Sequence, residues 1–295
     1  MSMQFHGTYT ALITPFRDGK LDLPALEKLV ALQLEAGVDG LVPCGTTGES
    51  PTLEFEEYEQ VVRTVHRVRE SMKRRDIPIL AGSGTNCTKK TIELSKRMRD
   101  CGADGLLIVA PYYNRPSQEG IRQHYVAIAK AVPLPIMLYN IPGRCGVEVS
   151  VCTIARIREQ CENLVAVKHA TGKVDGVTEM LAACRVDVLS GDDPLTLAMM
   201  SMGAVGVVSV LSNLAPAAVG GMTRSALAGD WESARVAHEQ INQWGRALLS
   251  LDVNPVPIKT ALALRGVCHE EFRLPIAPLN ADKKAELAKI IAAVS

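Results

Sequence analysis

Leu164-Val165-Ala166-Val167-Lys168 is a short apolar run that stops on a lysine and passes straight into a polar, glycine-bearing loop, Ala170-Thr171-Gly172. Seven more apolar, β-rich runs are spaced along the chain, at residues 8–13, 40–43, 77–81, 105–110, 135–139, 187–190 and 206–210. Each is followed by a longer stretch with helical spacing. Strands that are apolar almost throughout suit a parallel sheet covered on both faces. Eight β/α units in succession predict an α/β fold, the TIM (β/α)8 barrel. The run at 206–210 sits in an uncharged stretch, 204–222, that approaches the length of a membrane span. Its Ser209, Ser212, Asn213, Pro216 and Gly220-Gly221 read better as a buried strand, a turn, and a helix with Pro216 near its first position. Residues 1–224 are therefore assigned to the barrel. Residues 225–295 carry helical patterns without a further strand and are assigned to a C-terminal helical appendage.

The helical stretches support the alternation. In the segment after Thr52, read as a cap, Glu54, Glu56 and Glu57 crowd the first turn and Lys73, Arg74 and Arg75 the end. That arrangement complements the helix dipole. Tyr58, Val61, Val65 and Val68 share one face, which predicts burial there and a solvated helix end at the basic cluster.

With 295 residues the chain is long enough to bury a full core. Thirty-two basic and 32 acidic residues balance, which gives no electrostatic reason to expect nucleic acid or an anionic membrane as partner. The eight cysteines contain no C-x-x-C pair, so free, largely buried thiols in a reducing compartment are expected. Met1-Ser2-Met3-Gln4-Phe5-His6 shows no basic-then-apolar leader, and the expected location is the cytoplasm. The six histidines show no H-x-H or H-x-x-x-H spacing, so a metal-dependent mechanism is not expected.

In a TIM barrel the chemistry gathers where strands end. Those ends here read Gly45-Thr46-Thr47-Gly48-Glu49-Ser50, Pro111-Tyr112-Tyr113-Asn114, Tyr139-Asn140-Ile141-Pro142-Gly143-Arg144, Lys168, and Ser190-Gly191-Asp192-Asp193. A lysine at the mouth of a buried strand is costly to keep charged, and an uncharged lysine condenses with carbonyl compounds. With an ordinary pKa of ~10.4 only about one such amine in ~2,500 is free at pH 7. Partial burial that brought it to ~8 would free about one in ten. Two threonines between glycines let hydroxyls and backbone N–H groups converge on a carboxylate. A carboxylate clamp beside an amine describes a site for a 2-keto acid. Tyr139, a phenol that both donates and accepts, fits a proton relay, and Arg144 offers a planar fork for a second carboxylate.

Together these stretches resemble the family of pyruvate-dependent Schiff-base TIM barrels, the N-acetylneuraminate lyase family of pyruvate aldolases. The resemblance runs from Gly7-Thr8 and Thr14-Pro15-Phe16 through the strand ends above. It continues to Asn254-Pro255-Val256-Pro257-Ile258-Lys259 and Phe272-Arg273-Leu274-Pro275-Ile276-Ala277-Pro278-Leu279. It implies a synthase branch of the family, in which the enamine of pyruvate adds to L-aspartate-4-semialdehyde on the diaminopimelate route to lysine. By resemblance Lys168 forms the imine, while Thr46 and Thr47 hold the pyruvate carboxylate. Tyr139, Thr47 and Tyr113 would form the relay, with Tyr113 reaching in from a neighbouring subunit. Arg144 would bind the semialdehyde carboxylate, and the backbone of Gly191 and Val208 would line the site. The resemblance also implies a homo-oligomer, a tetramer built as a dimer of dimers. No cofactor and no metal are expected, because the lysine imine is itself the electron sink.

Some positions depart from the pattern. His169 stands where glutamate is usual, and strand alternation aims it away from Lys168. Cys145 follows Arg144 where threonine is common, and it reads as a buried, inert thiol. Asp192-Asp193-Pro194 reads as an aspartate cap before a first-turn proline rather than as a metal site. The lysine-inhibited members bind their effector at positions matching Ser50, Pro51, Phe55, Tyr58, Asn86, Lys90 and Tyr112. Here Phe55 and Tyr58 stand where histidines are common, and Lys90 replaces a glutamate, so weak or absent feedback by lysine is expected. Two alternatives remain open at the level of sequence. One is a sibling aldolase, acting on N-acetylneuraminate or a keto-deoxy sugar acid, which Arg144 disfavours. The other is a non-catalytic paralogue.

Overall fold

The computed structural model describes residues 5–292. Eight parallel strands form the barrel: β1 Gly7–Ala11, β2 Gly40–Val42, β3 Leu80–Gly82, β4 Gly105–Val109, β5 Ile136–Asn140, β6 Leu164–His169, β7 Asp187–Ser190 and β8 Gly206–Ser209. Helices follow them in turn: α1 Leu23–Glu35, α2 Phe55–Ser71, α3 Thr88–Asp100, α4 Gln118–Ala131, α5 Val151–Gln160, α6 Gly176–Ala183, α7 Thr196–Ser201 and α8 Pro216–Leu227. The strand order is β2-β1-β8-β7-β6-β5-β4-β3. The ring closes between β2 and β3 at the Leu41–Ile79 bridge, with Gly82 N donating to Pro43 O at 2.9 Å. A Cβ on Gly82 would lie 2.1 Å from the Cys44 carbonyl oxygen, so this seam closes only around a glycine.

Strand alternation divides the core. Tyr9, Val42, Leu80, Leu107, Met137, Ala166, Leu189 and Val208 fill the barrel interior, and Phe5 meets the Tyr9 ring edge-on at 5.8 Å. The opposite faces of the strands pack on the helices in a larger apolar layer. Outward polar groups on β1 are paired there: Thr8 Oγ1 with Thr223 Oγ1, and Thr10 Oγ1 donating to Gln33 Oε1, each at 2.8 Å. Burial without such partners would cost free energy.

One irregularity sets the site. Ile136 pairs with Leu164 but Met137 pairs with Ala166, so Val165 is an extra residue on β6. This bulge brings Tyr139 level with Lys168. Both then point inward from neighbouring strands.

Several sequence expectations need correction. Helix α2 is capped by Glu54 in a capping box with Glu57, not by Thr52. Thr52 closes a separate 3-10 turn instead, its hydroxyl donating to Glu49 O at 3.0 Å. Residue 224 falls inside α8, which runs on to Leu227. The helices beyond, α9 Trp231–Leu251, α10 Val256–Leu264 and α11 Ala281–Ala292, pack back against the barrel. Of the eight free cysteines, four are buried, three are half-buried and Cys152 is exposed. The basic cluster is a helix end, as expected: Arg74 donates to Leu34 O at 2.7 Å and Arg75 pairs with Glu70 at 2.6 Å. No single helix among the described residues is long and apolar enough to cross a membrane, and the pair α9–α10 that approaches this is bent by 109°. The first four residues, on which the leaderless reading partly rests, lie outside the described residues.

Candidate active site

Lys168 is 5% exposed, one residue from the end of β6, with its Nζ 4.2 Å from the centre of the Tyr139 ring. It opens into a cavity of about 150 Å3 at the C-terminal mouth of the barrel, which Thr46, Thr47, Tyr139, Arg144 and Gly191 also line. Burial pushes the amine down to about 8, against the opposing pull of Asp192 and Asp193 and with a smaller push from Arg144. Burial likewise pushes the Tyr139 phenol above its ordinary value, so it stays protonated at neutral pH. The Tyr139 ring, not its hydroxyl, faces the amine, and Thr46 lines the same cavity.

Thr46 and Thr47 open a 3-10 turn, Thr46–Gly48. Its internal bonds use Gly48 N and Glu49 N, which donate to Gly45 O at 3.0 Å and Thr46 O at 3.1 Å. Thr14 Oγ1 donates to Gly48 O at 2.7 Å and fixes the turn from below. Arg144 lies on a single helical turn, Pro142–Cys145, that begins with a proline and ends at Gly146 in the left-handed region. Its Nη2 donates to Asn254 O at 2.9 Å, and its side chain otherwise faces solvent. Gly191 must lack a side chain: a Cβ there would lie 2.6 Å from Ala170 Cβ and 3.1 Å from Lys168 Cε.

Two predicted positions stand apart. Val208 packs in the barrel interior, and the cavity wall just past that strand is made by Val210 and Leu211. Tyr113 is 88% exposed, with φ +73°, and does not line the Lys168 cavity of its own chain. It borders a second cavity of about 500 Å3 that shares Thr46 and Arg144 with the first. Ser50, Pro51, Tyr58 and Tyr112 border this second cavity, whereas Lys90 is exposed elsewhere. His169 faces the other side of β6, its Nε2 2.9 Å from both Lys173 O and Thr171 Oγ1. Cys145 is buried, its Sγ 3.3 Å from Ala110 O and its thiol pushed up to about 11 by burial.

Sequence reasoning missed four contributors. Asp193 is not a helix cap: its carboxylate accepts from Ser209 Oγ, and from Val210 N and Leu211 N at 3.0 Å, tying β7 to the turn after β8. Asp192 lines the cavity, and burial raises its carboxyl above the usual range although Lys168 opposes the shift. Asn254 donates from Nδ2 to Thr47 Oγ1 at 3.1 Å. Leu248, on α9, forms part of the same wall. The Asp-Asp pair and the Asn-Pro stretch were visible as motifs, but nothing in their spacing said what they touch. No group of three or more histidine, cysteine or acidic side chains among the described residues is placed to hold a metal ion.

A barrel whose mouth encloses an amine of lowered basicity, a hydroxyl-rich turn and a guanidinium belongs to the class of lysine-dependent, carbonyl-capturing TIM barrels. The sequence profile described as "Dihydrodipicolinate synthetase family" matches residues 4–294, and the chain belongs to that family. A relative from Geobacter metallireducens, named 4-hydroxy-tetrahydrodipicolinate synthase, is 47% identical over 289 residues, covering 97% of this chain and 98% of its own. The solved 4-hydroxy-tetrahydrodipicolinate synthase of Methylacidiphilum fumariolicum superposes with a TM-score of 0.94 at 47% identity, over 98% of this chain and 95% of that one. The dihydrodipicolinate synthase of Acinetobacter baumannii, solved in complex with pyruvate, gives 0.93 at 40% identity, over 98% and 99%.

Because the folded pKa of Lys168 is depressed, its free-amine fraction rises with pH through the lowered value. Trapping of a small 2-keto acid on Lys168 by borohydride, followed by mass spectrometry, is expected to accelerate with pH around a midpoint of about 8. A midpoint near the ordinary 10.5 would show that burial does not set its reactivity.

Proposed function

We propose that the chain is a 4-hydroxy-tetrahydrodipicolinate synthase, condensing pyruvate with L-aspartate-4-semialdehyde through an imine on Lys168. The observation that carries this reading is the buried amine of lowered basicity, set among Thr46, Thr47, Tyr139 and Arg144 around one cavity. Lys168 Nζ, as free amine, adds to the keto carbon of pyruvate. Tyr139 supplies the proton with which the carbinolamine oxygen leaves as water. The protonated imine withdraws electrons from the neighbouring methyl, which loses a proton to give the enamine. That carbon then attacks the aldehyde carbon of the second substrate, whose oxygen takes up a proton, and the semialdehyde's own amine adds to the imine carbon, closing the ring and expelling Lys168 Nζ as the amine. No metal or organic cofactor takes part, since the imine nitrogen holds the electron pair. Thr46 and Thr47 hold the pyruvate carboxylate and Arg144 that of the semialdehyde. Cytoplasmic location is part of the same proposal.

A coupled assay with both substrates is expected to show turnover, with a reduced three-carbon adduct on Lys168 when borohydride is added with pyruvate. Lys168→Ala should lower kcat by about a thousandfold or more. Arg144→Ala should raise KM for the semialdehyde about tenfold to a hundredfold, the worth of hydrogen bonds to a charged group. Cleavage of N-acetylneuraminate with the semialdehyde ignored would replace this reading by that of a sibling aldolase.

Tyr113, exposed and outside its own cavity, is assigned to the relay of a neighbouring subunit in a homo-oligomer, with the tetramer as a dimer of dimers. Mixing and reassembling Tyr113→Phe with Lys168→Ala, each weakly active alone, should therefore restore activity, because mixed dimers contain one complete site. No recovery despite mixed-dimer formation would place Tyr113 outside the relay. Feedback by lysine is expected to be weak or absent, because Lys90 stands where the effector's amine would need a carboxylate. Half-inhibition at sub-millimolar lysine would contradict it.

A further inference from the structure

Beneath the Thr46–Thr47 turn lies an ion pair that solvent does not reach. Lys259 Nζ donates to Glu49 Oε1 at 2.6 Å, and both side chains are 0% exposed. The ammonium also sits 4.1 Å from the centre of the Phe16 ring and 5.1 Å from that of Phe272. The other oxygen, Glu49 Oε2, accepts from the backbone N of Arg273 at 3.2 Å. Arg273 closes the enclosure: its guanidinium stacks 4.3 Å from Phe16 and binds both Glu57 oxygens at 2.6 Å. Each charge therefore has an opposite charge, a hydrogen bond or an aromatic face.

Such a pair is poorly explained as a source of stability. Removing two charges from water is costly, and the attraction between them often fails to recover that cost relative to apolar side chains of similar size. What a buried pair does well is fix geometry, since any displacement leaves a charge unpaired. The geometry fixed here is that of the site. Glu49 lies two residues past Thr47 and is held at φ +53°, the left-handed region that a glutamate enters only under constraint. Lys259 lies in the first turn of α10, directly after Pro257 and Ile258, which line the Lys168 cavity. Asn254, two residues ahead of that helix, holds Thr47 Oγ1 through its side chain and Arg144 through its carbonyl. Neither Glu49 nor Lys259 lines the cavity itself.

We propose that Glu49 and Lys259 are positioning residues for pyruvate capture, latching the hydroxyl-bearing turn to α10 so that Thr46 and Thr47 meet the carboxylate in register. The inference rests on the pyruvate reading above, and it goes beyond it by assigning affinity to a pair that never touches substrate.

The test is the pyruvate concentration that half-saturates borohydride trapping on Lys168, read by intact mass and set beside kcat, both KM values and the thermal unfolding midpoint. In the double variant Glu49→Gln/Lys259→Met no unpaired charge remains, so folding should survive. Half-saturation is expected to rise about tenfold, the scale on which sub-ångström misplacement of a binding group acts. Trapping at saturating pyruvate should still be complete, since Lys168 itself is untouched. Glu49→Asp keeps both charges but withdraws the carboxylate by one methylene, and it should shift half-saturation the same way even if the double variant does not fold. A folded variant of either kind that traps pyruvate at the parental concentration, however its unfolding midpoint moves, overturns the inference. If the parent protein forms no adduct on Lys168, the pyruvate reading itself falls and takes this inference with it.

Discussion

A primary amine kept away from water is the constraint on which the site is built. Lys168 ends its strand inside a barrel whose interior is apolar, and its burial disfavours the ammonium more than Asp192 and Asp193 can repair. Full desolvation of an unpaired charge would not be tolerated, and full pairing would leave the amine protonated and inert. The structure sits between these limits. The acidic neighbours are themselves buried and raised above the usual carboxylate range, and their pull on the amine is smaller than the push of its burial. Asp193 spends its hydrogen-bonding capacity on Ser209, Val210 and Leu211 rather than on the amine. The same carboxylate thus braces the barrel mouth and tempers the lysine.

The second constraint is that groups from distant parts of the chain must hold still relative to that amine. Tyr139 is placed by register, on the neighbouring strand. The threonine turn and Arg144 lie on loops, and loops are the more mobile parts of a fold. Both are tied to Asn254, one by its side chain and one by its carbonyl. On the proposed reading, the segment that follows the eighth β/α unit therefore belongs to the binding machinery, through Asn254 between α9 and α10. Gly245 of α9 seats against Pro194, 3.2 Å being all that a Cβ would have, which presses this region onto the turn that carries Asp193.

What was legible in the sequence follows from which interactions are local. Apolar runs and helical spacing are read over a few residues, and all eight strands lie within a few residues of where those runs stand. The grouping of Lys168, Tyr139, Thr46, Thr47, Arg144 and Gly191 at one mouth follows from the rule that barrel chemistry sits at strand ends, and one cavity gathers all six. Long-range partners left no such trace. Glu49 and Lys259 are 210 residues apart and each reads alone as an ordinary charged residue. Asp193 looked like a cap because Asp-Pro is a common local signal, yet its carboxylate goes to a loop 16 to 18 residues on. The extra residue at Val165 is invisible to alternation, since Leu164-Val165-Ala166-Val167 is apolar at every position. Without that bulge Tyr139 would not be level with the lysine, so a feature with no sequence signal sets the contact between ring and amine.

The position of Arg144 has a consequence for the order of events. Its charge is among the influences that lower the Lys168 pKa, and it borders both the small cavity with the amine and the larger one beside Tyr113. A carboxylate bound to Arg144 would offset that positive charge and favour the ammonium form of Lys168. On the proposed reading, this small effect runs in favour of capturing the keto acid before the semialdehyde's carboxylate arrives. Once the imine exists, the lysine no longer needs to be a free amine, and neutralising Arg144 costs the chemistry nothing. On the same reading the guanidinium then serves the second substrate, with one arm already held by Asn254 O and the rest of its fork open. A permanent cation shared between two cavities can thus, on the proposed reading, act on both substrates in turn.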